Sequence, residues 1–510
     1  MAKTNGGIIG PSNVPNPFIA KGVWKLRDAF NYIKAGLWPS PLGYQVNNSL
    51  RFNAGSSDNL TRTEASGSRR KLTFSVWCKK SSNGSDALMI YNSASDENNQ
   101  FYIEFEGSGD SNDIRIRQLA SASVNTLLKT SATFRDVSAW YHVVVAVDSE
   151  QATASNRVRL YINGSEVTAF STATYPSQNT DMQFNVSSSY THHIGKRNNS
   201  SAFYAGYMAE TYLIDGQQLT PSSFGQTDSA TGIWTPIAYT GSFGTNGFYL
   251  KFANSAALGT DSSGNGNTFT ANNLTSVDQS TDTCTNNFNT LNPLIPLGSN
   301  FSAPTEGNLS LSSSGTGNSG FFASTIIPSA GKWYFEVKAT VVSSSDRTKI
   351  SIANFESVTG TDSIENGNYK GISVSTGTAG RIAVTDGATT TEFDVAGYVP
   401  VANDIMIFAV DMDNSRVYIG KNGTWFTTAA DSGGNPATAT GFFSPVLGNG
   451  FAVGAGHGAG TSVSATNQFN FGSPMYAGGG YTDAGGFGNF SYQPPSGYFA
   501  LCTRTLAIYG

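Results

Sequence analysis

A protein that hydrolyses polysaccharide needs two carboxylates about 5 to 10 Å apart across the scissile bond. The sequence offers one close pair, in Glu104-Phe105-Glu106. Read as neighbouring strand positions with side chains on opposite faces, these two are not expected to share a substrate. Glu210 and Asp215 have no carboxylate companion at such a spacing. The four histidines are His142, His192, His193 and His457, and none lies in a G-x-S-x-G or similar nucleophile setting. His142 follows Trp140-Tyr141 and alternates with apolar positions, so a packed, hydrogen-bonded imidazole is the better expectation than a general base.

Metal chemistry is equally thin. His192 and His193 are adjacent, and neighbouring side chains of a strand diverge; only a loop geometry would bring them onto one ion. The run DSSGNGN from Asp261 to Asn267 is rich in oxygen ligands but lacks the terminal bidentate Glu of an EF-hand loop. A turn built by Asp, Asn and Gly is the favoured reading, with calcium on Asp261, Asn265 and Asn267 as the lesser one. Cys78, Cys284 and Cys502 are too scattered for a disulfide framework or a zinc site. No catalytic residue, no metal and no cofactor is expected, and the chain is read as a binder and not an enzyme.

Only 13% of the 510 residues are charged, while 56 are glycine. Long amphipathic helices can hardly be written with so few charged helix formers, so the class is all-β. The length asks for at least two cores. A net charge of −5 leaves no basic footprint for nucleic acid. The N-terminus shows no apolar run of signal-peptide length, and no stretch of about 18 apolar residues occurs. Synthesis in a cytoplasm without membrane insertion is therefore expected.

The chain divides by pattern. Residues 1–45 form an N-terminal segment in which Val23, Leu26, Phe30, Ile33 and Leu37 step by three and four, which predicts a short helix over about 22–36. Residues 46–225 read as successive strands. In RVRLYINGSEV, Val158, Leu160 and Ile162 alternate with Arg157, Arg159 and Tyr161, and Asn163-Gly164 supplies a two-residue hairpin turn. Residues 226–305 are irregular and read as a connector laid over its neighbours. Residues 306–476 carry a second strand pattern, whose segment 405–410 is apolar on both faces and should be covered on each side. Residues 477–510 form a Gly- and Pro-rich tail. Trp77, Trp140, Leu160 and Ile162 are expected in the first core, and Trp333, Phe335, Ile407 and Val417 in the second.

The segments KLTFSVWCKK (71–80), WYHVVVAVDS (140–149), the L-Y-I-N-G hairpin and HHIGKRNNSSAFYAGYMAETYLIDGQQLTP (192–221) resemble, in this order, the laminin-G-like, concanavalin A-like lectin family. GKWYFEV, DMDNSRVYIGKNGTW and the late FNFG resemble the SPRY family. The resemblances imply two tandem β-sandwiches, a concanavalin A-like jelly roll and then a SPRY-like one. Together with TDSSGNGN…TDTCTNNFNTLNPL and PPSGYFALCTRTLA, the whole order is similar to virion proteins of tailed bacteriophages, of the tail-fibre or capsid-associated type. That likeness implies a location on the virion exterior, with host-surface glycan or protein and other virion proteins as partners. A tail fibre or spike mediating attachment is the leading reading, ahead of a capsid decoration or tail-assembly protein and, further behind, a polysaccharide depolymerase.

Loops at the ends of sandwiches are free to carry binding. His193, Lys196, Arg197, Asn198, Asn199 and Tyr204 in the first half, and Asn366, Asn368 and Tyr369 in the second, combine polar groups with aromatics and are the candidate receptor contacts. Trp24, Leu26, Phe30, Ile33 and Trp38 are the candidate anchors to the virion or to symmetry mates, with a homotrimer preferred because a 3-4 apolar repeat suits a bundle.

Overall fold

A computed structural model describes residues 24–34, 43–83, 87–94, 98–107, 112–197, 202–229, 231–294, 301–314, 319–342, 348–357, 369–377, 380–387, 389–457 and 464–509. Alternating apolar residues build two sandwiches of antiparallel sheets, and the class is all-β. In the first sandwich, the back sheet runs in the order Ser165–Glu166, Val158–Ile162, Tyr141–Asp148, Lys71–Lys80, Gly206–Asp215, Ser49–Phe52, Gln279–Ser280, with Phe248–Leu250 also paired to Gly206–Asp215. The front sheet runs Phe170–Thr174, Ser123–Thr130, Ile114–Ala120, Gln100–Phe105, Ala87–Ala94, Tyr190–Ile194, Asn59–Thr63, Thr270–Asn272. Phe74, Val76, Phe101, Ile103, Ile116, Val145 and Leu160 fill the space between them. The hairpin turn has φ of 48° at Asn163 and 82° at Gly164, the positive pair that its sequence implied.

The second sandwich repeats the plan. Its back sheet contains Ser310–Ser313, Ala465–Asn470, Lys332–Val341, Ile405–Asp411, Arg416–Lys421 and Thr424–Trp425; its front sheet contains Ser319–Ile326, Phe451–His457, Thr348–Asn354, Lys370–Ser375, Arg381–Asp386 and Thr390–Asp394. Strand Ile405–Asp411 is covered on both sides as its composition requires. Met406, Phe408 and Val410 enter the inter-sheet core, while Ile407 and Ala409 meet Phe490, Tyr498 and Cys502 of the tail on the outside.

Three expectations need correction. The stretch 226–305 is more than a surface connector: it supplies Phe248–Leu250, Thr270–Asn272 and Gln279–Ser280 to the two sheets of the first sandwich. Trp77 and Trp140 lie outside the first inter-sheet core, on the outer side of the back sheet with Val46 and Ala209; Ile407 likewise packs under the tail and not between the sheets. Helix occurs at Leu26–Lys34 as expected, and a second one, Thr503–Tyr509, ends the tail.

Buried charge ties the halves together. Arg51, 0% exposed, donates to Asp278 Oδ1 at 3.1 Å, to the Val277 carbonyl at 3.0 Å and, in the second half, to the Pro474 carbonyl at 3.2 Å; Glu306 stands 3.4 Å from its Nε. Lys79 pairs with Asp282, donates to Asn287 Oδ1 at 2.9 Å and lies 4.8 Å from the centre of the Tyr207 ring. Asn287 and Asn289 are in turn bonded to the tail at Thr503 and Leu501. Such cations are tolerated inside because each has a carboxylate partner and further acceptors.

Candidate functional site

Strand register assembles what no single segment contains. Across the front sheet of the first sandwich, directly opposed residues run Thr270, Thr61, His193, Tyr91, Tyr102, Arg117, Leu127, Thr174. The inward residues beside them, Leu60, Ile194, Ile90, Phe101, Ile103, Ile116 and Leu128, belong to the core, so the row lies on the outer face. At about 4.8 Å per strand it crosses roughly 34 Å. The rings of Tyr91 and Tyr102 stack at 5.8 Å. Arg117 donates to the Tyr102 hydroxyl at 3.0 Å, and Arg115 and Arg197 stand 5.5 and 5.6 Å from the centre of the same ring. Arg197 reaches it because the chain after Ile194 turns back over the sheet: Lys196 bridges Phe203, and Arg197 and Ala202 share a backbone hydrogen bond. Ala202 packs on Tyr91 and Tyr102.

Two residues further along the same strands, Glu104 and Glu106 flank Arg115. Both carboxylates bind its guanidinium, Glu106 at 2.6 Å, and Glu106 also pairs with Lys129. The opposite-face reading of these two was mistaken: positions 104 and 106 are separated by Phe105, and a period of two puts them on one face. They are nonetheless engaged by cations of their own sheet.

The other titratable residues have structural duties. His142 accepts from Trp234 Nε1 at Nδ1 (2.9 Å), leaving Nε2 2.9 Å from Ser75 Oγ; burial pushes its pKa down to about 3. His192 turns inward, with Nε2 2.9 Å from Glu64, whose oxygens also accept from the Asn185 and Val186 amides. Glu210, raised by burial and held down by the hydroxyls of Tyr212, Tyr249 and Tyr44, is a buried tyrosine-capped carboxylate. Asp261 accepts from the amides of Tyr249, Ser263 and Asn267, and Arg62 occupies Asn267 Oδ1 at 2.6 Å, so this run is a turn braced by donors. Among the described residues no cluster of three or more His, Cys, Asp or Glu could hold a metal ion. A hollow of about 410 Å³ lined by Ala257, Leu258, Thr268 and Phe269 contains no ionisable side chain.

The candidate contacts separate accordingly. Lys196 and Arg197 lie beside the row, Lys196 5.6 Å from the Phe203 ring centre, and His193 lies in it. His193 is 5% exposed, its pKa lowered to about 4, first by burial and then by the charge of Lys196. Tyr204, read as a surface aromatic, is fully buried: its ring packs on Phe52 and its hydroxyl donates to the Lys79 carbonyl. Tyr369 is buried too, against Phe322, Ala353 and Ala452. Asn198, Asn199, Asn366 and Asn368 fall outside the described residues, as does Trp38. Of the proposed anchors, Leu26 and Ile33 fall in the helix, Phe30 is 57% exposed, and Trp24 meets Tyr32 edge-on at 5.5 Å. Tyr91, Tyr102 and Arg117 were missed because their strands give no local sign of which distant residues they will face.

Residues 54–223 match the family model described as the concanavalin A-like lectin/glucanases superfamily. No curated protein matches the chain. Among solved structures, the LG4-5 domains of mouse laminin α1 are similar at 10% identity and a TM-score of 0.28, covering 91% of this chain and 90% of that one. The SPRY domain of human HERC1 is similar at 11% identity and a TM-score of 0.26, over 35% of this chain and 96% of that one. A putative carbohydrate binding protein of Bacteroides ovatus gives 12% identity and a TM-score of 0.30, over 46% and 60%.

Proposed function

We propose that the chain is a non-catalytic attachment protein of a tailed-bacteriophage particle, a tail fibre or spike that holds host-surface glycan on the front face of its first sandwich. The observation that carries the binding half is the row of stacked tyrosines flanked by His193 and guanidinium groups. The two rings are buried and support the half-buried guanidinium groups of Arg117 and Arg197, whose donors suit a sugar's hydroxyl surface. The lectin-type match over residues 54–223 points the same way. The virion half rests on the order of sequence segments.

On this reading the protein is made in the host cytoplasm and ends on the particle exterior. The helix Leu26–Lys34 fastens it to other virion proteins or to its symmetry mates, a trimer by preference, since nine residues of helix with an exposed Phe30 need a partner to be stable. Nucleic acid is not a partner at a net charge of −5. Among the described residues no helix is long and apolar enough to cross a membrane, and no membrane insertion is proposed. Polysaccharide cleavage is not proposed either, because Glu104 and Glu106 are committed to Arg115 and Lys129.

A purely structural role, as a capsid decoration or tail-assembly component, is the second reading; the full burial of Tyr91 and Tyr102 beneath their own chain favours it. The test is binding of the purified full chain to cells of a susceptible host and to their isolated surface polysaccharide. Saturable binding that blocks phage adsorption, without release of reducing ends, is expected. Absence of binding leaves the structural reading, and release of reducing ends would overturn the non-catalytic one.

A further inference from the structure

Three guanidinium groups converge on one ring, and among the described residues only one of them has a carboxylate partner. Arg115, Arg117 and Arg197 stand 5.5, 6.0 and 5.6 Å from the centre of Tyr102. Arg115 binds both Glu104 and Glu106. Arg117 has the neutral Tyr102 hydroxyl, and neither it nor Arg197 nor Lys196 has a carboxylate partner among the described residues. The Nε of Arg197 is buried without a hydrogen-bond partner among the described residues. In the same row, His193 keeps both ring nitrogens unpartnered at 5% exposure. A protein of net charge −5 has acidic side chains in surplus, yet among the described residues none pairs with these two arginines. Like charges gathered on one ring repel unless an anion lies between them, and guanidinium forks match carboxylate and sulfate oxygens bidentately.

We infer that the front face of the first sandwich selects an acidic glycan, with a carboxylate or sulfate group of the sugar held between Arg117 and Arg197. Arg115, already neutralised, holds the Tyr102 ring in place; His193 faces the neighbouring part of the ligand. The inference rests on the glycan-binding reading above and adds the charge of the ligand to it.

The test compares a hexuronic-acid oligosaccharide with the same oligosaccharide after reduction of its carboxyl groups, each titrated against the full chain, so that the protein is unaltered. The acid form should bind at least about tenfold more tightly, with an advantage that shrinks as salt is raised. The double variant Arg117→Gln with Arg197→Gln should lose that advantage, whereas Arg70→Gln, an exposed arginine elsewhere on the sandwich, should keep it. Equal binding of both forms would overturn the charge inference and leave the glycan reading standing. Silence of both forms and of neutral host oligosaccharides would remove the glycan reading itself. Retention of the preference by the double variant would move the anion to another site. Displacement of the oligosaccharide by an equal concentration of inorganic sulfate would point to a free-anion site and not to a sugar.

Discussion

The two front sheets have the same construction and opposite surfaces. On the first, the row across the strands is Thr61, His193, Tyr91, Tyr102, Arg117 and Leu127. On the second, the corresponding outward row is Phe322, Gly454, Ser351, Ser373, Ala383 and Glu392. Both rows sit over a core of Ile, Val and Phe, so packing does not explain the difference. The middle of the second row, Gly454, Ser351, Ser373 and Ala383, is short and buried, whereas the first carries the half-buried guanidinium forks of Arg117 and Arg197 over two buried rings. The back sheets are alike in another way: each is covered by its own chain, the first by Phe224, Tyr239, Phe243 and Tyr249 and the second by the tail. The first front face is therefore where the binding proposed above would fall.

The comparison presumes that the sandwiches act as one body, and the strongest way to break it is to cut the buried ties. Replacing Asp282 by Ala leaves Lys79 inside without its counterion, which should cost about 3 to 5 kcal/mol. Denaturant unfolding measures it; a loss below about 1 kcal/mol would mean that the tie contributes little and that the two faces sit on independent units.

Acid should weaken the first half, where burial lowers the pKa of both His142 and His193. His142, lowered to about 3 by burial, remains neutral in the folded protein while its unfolded counterpart takes up a proton near pH 6.5. Its contribution is present above pH 6.5 and is lost as pH falls from there toward 3, about 2 kcal/mol being gone at pH 5. Asp58, raised to about 6 by burial, works in the opposite sense, so the comparison must be made against His142→Gln. The stability gap between the two proteins should narrow between pH 7 and pH 5, and a constant gap would contradict the burial argument.

A smaller effect sharpens the site. Tyr102→Phe removes the acceptor of Arg117 and leaves the stacked ring, so ligand binding should weaken by about 1 kcal/mol. Titration calorimetry resolves this. An unchanged affinity would show that the ring alone matters.

Much of the architecture was legible because it is local. Alternation at Val158, Leu160 and Ile162 located a strand, Asn163-Gly164 located its turn, and the two-sided apolar run at 405–410 located a central strand. What failed was whatever depends on distant partners. Trp77 is buried and Trp140 half-buried, but a sheet covered on both sides does not mark which side is the inter-sheet core. Tyr204 sits among polar neighbours and still turns into the core, and Tyr369 is buried on the outer face of its sheet against Phe322, Ala353 and Ala452. Thr61, Tyr91, Tyr102, Arg117 and His193 lie up to 132 residues apart in the numbering (193 minus 61), and only the register of five strands lines them up.

Hydrogen exchange of the full chain with and without host-surface polysaccharide locates the face that meets the ligand. Protection should appear along Ala87–Ala94, Gln100–Phe105, Ile114–Ala120 and Tyr190–Ile194, with the strands Thr348–Asn354, Lys370–Ser375 and Arg381–Asp386 unchanged. Protection confined to those strands of the second sandwich would contradict the account.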